Sequence, residues 1–179
     1  MPLAVTHFLI PAIIVAIFRD IYKSKTKKKF PLHYVLITGL AGLLPDLDFL
    51  AFAILNFFGF SLNQVHRIFS HSIFFPPIFL ILCFIFLTVK NKELGKHKMT
   101  FHGIFFIIFL GTLSHIILDA LLSGTVYIFY PISQTEFGLN LINLLPNPFN
   151  SLFLPILDAA LLILWMIYIE WKHKLSDFI

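Results

Sequence analysis

Five runs of apolar residues, near 3–18, 33–58, 72–89, 101–122 and 152–169, alternate with short polar or basic stretches along the chain. A helix needs about 20 apolar residues to cross a hydrocarbon core of roughly 30 Å. The pattern therefore predicts an all-α integral membrane protein, a bundle of about five transmembrane helices. The first run is short for a span. A cleaved leader would carry positive charge before it and a small-residue cleavage site after it, and neither is present, so the segment is expected to be retained. Pro45, Pro76 with Pro77, and Pro155 lie at or inside these runs. A buried proline leaves a backbone carbonyl without its helical partner, so the second helix is expected to be broken at LPDLD. Residues 123–151 mix Gly, Pro, Asn and aromatics with almost no charge. Such a stretch is too apolar for a solvated loop and is expected to fold back over the bundle as a partly re-entrant lid.

Composition agrees with the pattern. Hydrophobic residues make up 59% of 179 positions and charged residues 12%, and Phe alone occupies 23, far from the balance of soluble domains. The length suits one helical bundle, so a single domain over 1–179 is expected. The formal charge of +4 sits in loops beside apolar runs, without a basic face interleaved with stacking aromatics, which excludes nucleic acid as a partner. Cys83, inside ILCFIF, reads as a small buried hydrophobe.

The basic residues set a topology. Arg19, Lys23, Lys25, Lys27, Lys28 and Lys29 follow the first run, Lys90, Lys92, Lys96 and Lys98 the third, and Lys172 and Lys174 the fifth. With five spans all three clusters share one side, which the positive-inside rule makes cytoplasmic. The N-terminus and residues 59–71 and 123–151 then lie outside and the C-terminus inside. In that frame the second helix enters near His33 and reaches Asp46 about 20 Å along, beyond the midplane. His7, Asp46, Asp48, His66, His71, His115 and Asp119 all fall near the outer boundary.

An ionisable side chain at membrane depth costs roughly 2.5–3.5 kcal/mol on insertion scales, and a divalent cation shared by carboxylates and neutral imidazoles offsets that cost. His115 and Asp119 are spaced i,i+4, on one helical face. Asp46 and Asp48 cannot share a face of a regular helix, but a turn distorted by Pro45 could aim both at one site. Nitrogen and oxygen donors without thiolate favour zinc, manganese, iron or magnesium, and the number of donors allows one or two ions. Arg67, between His66 and His71, offers a fork suited to phosphate or carboxylate.

THFLIP at 6–11, LPDLD at 44–48, HRIFSHS at 66–72 and HIILDALLSGTVYIFYP at 115–131 resemble, in order, the motifs of the YdjM-like family of membrane-bound, metal-dependent hydrolases. Ile68 and Phe69 are bulkier than the motif usually carries, and Ser70 stands where Thr is common. The resemblance implies a multi-pass protein of a bacterial or archaeal plasma membrane with a divalent metal site, zinc foremost, built from His7, Asp48, His66, His71, His115 and Asp119. It also implies a distant kinship to zinc-dependent phospholipases C.

Two function classes follow. The first is a hydrolase acting at the outer face on a phosphoester or ester of a membrane lipid or lipid-linked molecule, with Asp46 as general base and Arg67 stabilising developing charge. The second is a cation- or proton-coupled transporter using the same cluster. Transport needs polar groups on both sides of the midplane, and the inner halves of the runs are nearly free of acidic residues, which favours the enzyme. Asp158 lies at the same depth without a partner in its own motif. Ser70 and Ser72 flank His71 as candidate supporting donors, and Tyr130 and Pro131 as candidate pocket edges. His33, His97, His102 and His173 fall among the lysines and read as interfacial residues.

Overall fold

The computed structural model describes residues 3–62, 65–88, 94, 99–122 and 124–173. Among the described residues the chain is helical, without a named strand: α1 (Ala4–Thr26), α2 (His33–Gly42), α3 (Asp48–Leu55), α4 (Phe75–Thr88), α5 (Phe101–Leu122) and α6 (Phe149–His173). Lys90, Lys92, Lys96, His97, Lys98 and Lys174 lie outside the described residues.

Three of these helices, α1, α5 and α6, are long and apolar enough to cross a membrane, and α2 with the segment Pro45–Phe58 forms a fourth candidate bent by 51°. The bend falls where Pro45, lacking an N–H, opens a 3-10 turn. The third expected run, 72–89, holds only α4, whose 14 residues rise about 21 Å, short of a full crossing. The described helices thus give three candidate spans, or four with the bent pair. α4 begins after residue 72 because His71 and Ser72, both fully buried, belong to the preceding turn, and the Pro76–Pro77 pair suits a first helical turn. α1 runs further than its apolar stretch, through Arg19, Lys23 and Lys25, and stops where Lys27 adopts a left-handed conformation at φ 54°.

Small residues set the helix contacts, as expected where packing and not hydrophobicity drives association in lipid. A Cβ on Gly42 would collide with the His7 carbonyl, and one on Gly111 would lie 2.6 Å from the Thr38 carbonyl. Tyr34 reaches α5 near its start, accepting the Thr100 N–H at 2.9 Å, while Gly111 meets Thr38 and Ala41 further along, so α2 and α5 run parallel. Phe86 stacks on Phe101 and Phe105, which sets α4 antiparallel to α5. Asp158 near the start of α6 accepts the Thr6 hydroxyl near the start of α1. Toward the other ends, Asp20 takes the Tyr168 hydroxyl at 3.1 Å and Lys172 at 3.3 Å, so α1 and α6 are parallel too. A core of Ala12, Val15, Ala16, Tyr34, Val35 and Ile107 joins α1, α2 and α5. At one end of this bundle the start of α1, the end of α2, the turn before α4 and the end of α5 come together.

Candidate metal centre

Each helix delivers its polar groups to that end for a local reason. Successive residues of a 3-10 turn are about 120° apart, so the Pro45–Leu47 turn separates Asp46 and Asp48 less than an α-helix would. Both then reach His71 from opposite sides: Asp46 Oδ1 is 3.4 Å from Nε2, and Asp48 Oδ2 is 3.4 Å from Nδ1. His115 and Asp119 share the inward face of α5, with Nε2 3.6 Å from Oδ2. His7 stacks on His115 with centroids 3.9 Å apart, and its Nε2 lies 3.3 Å from Asp119 Oδ1. His7, His71, His115 and Asp119 are fully buried.

Hydrogen bonds assign the tautomers of two imidazoles. The Gly42 carbonyl can only accept, so His115 Nδ1, at 2.7 Å, donates to it and Nε2 carries a lone pair. The Ser70 hydroxyl donates to Asp48 Oδ2 at 2.8 Å. Ser70 therefore accepts from His71 Nδ1 at 3.0 Å, and His71 Nε2 carries a lone pair as well. These two lone pairs face each other at 3.2 Å. Two neutral nitrogens in that position repel, and a cation between them, a metal ion or a proton that charges one ring, removes the repulsion.

Distances fit such a cation. His71 Nε2, His115 Nε2 and Asp119 Oδ2 form a triangle with edges of 3.2, 3.6 and 3.6 Å. Donors 2.0–2.1 Å from a tetrahedral zinc ion are about 3.3–3.4 Å apart. These three residues make one group able to hold a metal ion, and His7, Asp46 and His115 make another. Both oxygens of Asp119, both ring nitrogens of His7 and Oδ1 of Asp46 are buried without a hydrogen bond, a costly state for polar atoms that ligation would relieve.

Asp48 and His66 stand beside this set. Asp48 Oδ1 meets His66 Nδ1 at 2.8 Å, and Oδ2 accepts the Arg67 N–H at 3.0 Å besides Ser70. Both Asp48 oxygens are thus engaged by His66, Arg67 and Ser70. His66 Nε2 is left buried and unbonded, the arrangement of a carboxylate-oriented imidazole. Arg67 itself adopts a left-handed backbone, φ 63°, held by that N–H bond and by Nη1 donating to the Thr125 carbonyl at 3.3 Å. Its Nη2 is 3.5 Å from Asp119 Oδ2, and neither Nε nor Nη2 makes a hydrogen bond.

The apolar segment after α5 lies over Arg67. Gly124, at φ 100°, packs where a Cβ would sit 2.7 Å from Nη1. Val126 pairs with Phe137, the Ile73 N–H donates to Ile128, and the Leu139 N–H donates to Ala120. Ser72 bonds Phe69, so of the two serines only Ser70 reaches His71. Asp158 meets Thr6, one residue before His7, and no ion pair to the cluster is found for it among the described residues. His102, bonded to Thr100 at 3.3 Å, sits at the far end of α5. Sequence reasoning did not identify Thr6, whose 152-residue separation from Asp158 leaves no local signal.

A family model described as YdjM inner membrane protein matches residues 1–175. No curated protein and no solved structure matches the chain.

Proposed function

Because the chain belongs to the YdjM inner membrane protein family, we propose that its buried cluster is the centre of a membrane-embedded, metal-dependent hydrolase. The substrate is a phosphoester or related ester of a lipid or lipid-linked molecule at the outer face of the membrane. The observation that carries the reading is the convergence of His71 Nε2 and His115 Nε2 to 3.2 Å, with Asp46 and Asp119 beside them. A divalent cation at this place, zinc by its donor set, supplies Lewis acidity and acidifies water.

The chain's own groups divide the remaining work. His71, His115 and Asp119 hold the ion, with His7 against Asp119 and His115. Asp48 fixes the tautomer of His71 through Ser70 and turns His66 toward the site. Asp46 is the general base, since its side chain is 29% exposed whereas that of Asp119 is fully buried, so water reaches it. Arg67 offers its two unbonded N–H groups to an anionic group and to charge developing on it.

Turnover of a panel of phospholipids and lipid-linked phosphates by metal-reconstituted protein tests this. Release of product that falls by 10²-fold or more in Arg67→Ala and Asp119→Asn is expected. Absence of any cleavage, together with cation or proton flux into liposomes that Asp48→Asn abolishes, would establish the transporter instead.

A further inference from the structure

A groove of about 350 Å³ opens beside the cluster, between α3, the turn before α4 and the segment after α5. Its walls are apolar, formed by Ala51, Leu55, Ile68 and Tyr130 among others, and among the described residues its one charged lining residue is Asp48, next to Ser70. Those two residues are the ones that hold His71, at 3.4 and 3.0 Å. The groove therefore has a polar end continuous with the cluster and an apolar remainder leading away from it. It differs from two other cavities of similar volume among the described residues, whose lining carries no charged residue.

We infer that this groove seats one acyl chain of a membrane phospholipid whose ester or phosphoester lies at the His/Asp cluster. The inference rests on the hydrolase reading for the role of the bound lipid. Three features point to this occupant. An open cavity in water would be lined by more polar groups, and this one is walled in part by α3, the second half of the bent candidate span. The lip carries Phe60 and Phe69, each 45% exposed, apolar rings at an entrance that a lipid reaches laterally without leaving the bilayer. The volume lies at the lower end of ligand pockets, about 300–1,000 Å³, which suits one chain and not two. The acyl chain meets the apolar walls, and the head lies past Asp48 and Ser70 at the cluster. There Arg67, outside the groove lining but bonded to Asp48 through its backbone N–H, has Nε and Nη2 without hydrogen bonds to offset the carboxylates.

Photolabelling tests the site without requiring turnover. The full-length, metal-loaded protein is placed in phosphatidylcholine nanodiscs containing phosphatidic acid with a diazirine in the middle of one acyl chain, irradiated, and its labelled peptides mapped. Labelling of residues 48–70 is expected, falling at least fivefold in Ala51→Trp and in Leu55→Trp, which fill the groove. Labelling at the exposed residues of α6, such as Ile163 and Ile167, stays constant and serves as the internal standard. Unchanged labelling of 48–70 in both variants, or labelling confined to α6, overturns the proposal, as does ester turnover unaffected by either substitution. Labelling that the tryptophans block, in a protein that cleaves no lipid, sustains the groove and removes the hydrolytic role.

Discussion

Asp48 is tied to four residues of the cluster, His66, Arg67, Ser70 and His71, and this makes it an informative residue to alter. It accepts from His66, Arg67 and Ser70, and through Ser70 it selects the His71 tautomer. Asp48→Asn places an amide where a second acceptor is needed. Loss of an orienting partner costs about 10–100-fold in metal affinity, and titration with a chelator-buffered zinc series should show a shift of that size. His71→Ala and Asp119→Ala remove donors outright, so elemental analysis should find their metal content below a tenth of the wild-type value, with His102→Ala unchanged. Equal content in all of these proteins would refute the centre. The i,i+4 spacing of His115 and Asp119 made their meeting legible in the sequence, because helix geometry alone determines it. The division of labour between Asp46 and Asp48 was not legible. It depends on a 3-10 turn and on a left-handed Arg67 that aims its N–H at Asp48, and neither leaves a compositional trace.

At the scale of elements, glycine contacts hold the donors in register. Gly42 both abuts the His7 backbone and offers its carbonyl to His115, so one residue ties α1, α2 and α5 at the level of the cluster. Gly42→Ala forces these helices apart and should cost about 1–3 kcal/mol, the usual penalty of overpacking. A thermal unfolding scan should show a lower midpoint and, at saturating zinc, weaker metal retention. Gly59→Asn is the matching control: the site has φ 87° with nothing within 4 Å of an added Cβ, and Asn tolerates left-handed backbone, so no change is expected. Apolar runs predicted the helices, and Pro45 predicted the break, because both are local effects. Helix ends were less legible: α1 continues for two turns into its basic stretch, and α4 starts late because His71 and Ser72 are needed in the preceding turn.

For the whole molecule, the described helices alternate in direction. α2 is parallel to α5, α1 is parallel to α6, and α4 opposes α5. The cluster and the described basic residues, Arg19 to Lys29 and Lys172, then lie at opposite ends. With the cluster end outside, Thr135→Cys in a Cys83→Ala background should react with an impermeant maleimide on intact cells, and Lys27→Cys only after permeabilisation. The reverse pattern would invert the topology and move the reaction to the cytoplasmic leaflet.

α6 leaves most of its described side chains exposed, with Asp158 buried and Trp165 and Tyr168 packed on the core, and its candidate span covers 24 residues, about 36 Å of rise. That exceeds a typical hydrocarbon core by roughly 6 Å. Hydrophobic mismatch of this kind is relieved by tilt or by a thicker bilayer. Because Thr6–Asp158 and Asp20–Tyr168 clasp α6 to α1, any tilt passes to the helix that carries His7. Bilayer thickness thus becomes a control on the donor set: the thermal midpoint and zinc affinity should both rise as reconstitution moves from 14-carbon to 18-carbon lipids, and Asp158→Leu, which opens one clasp, should flatten the dependence.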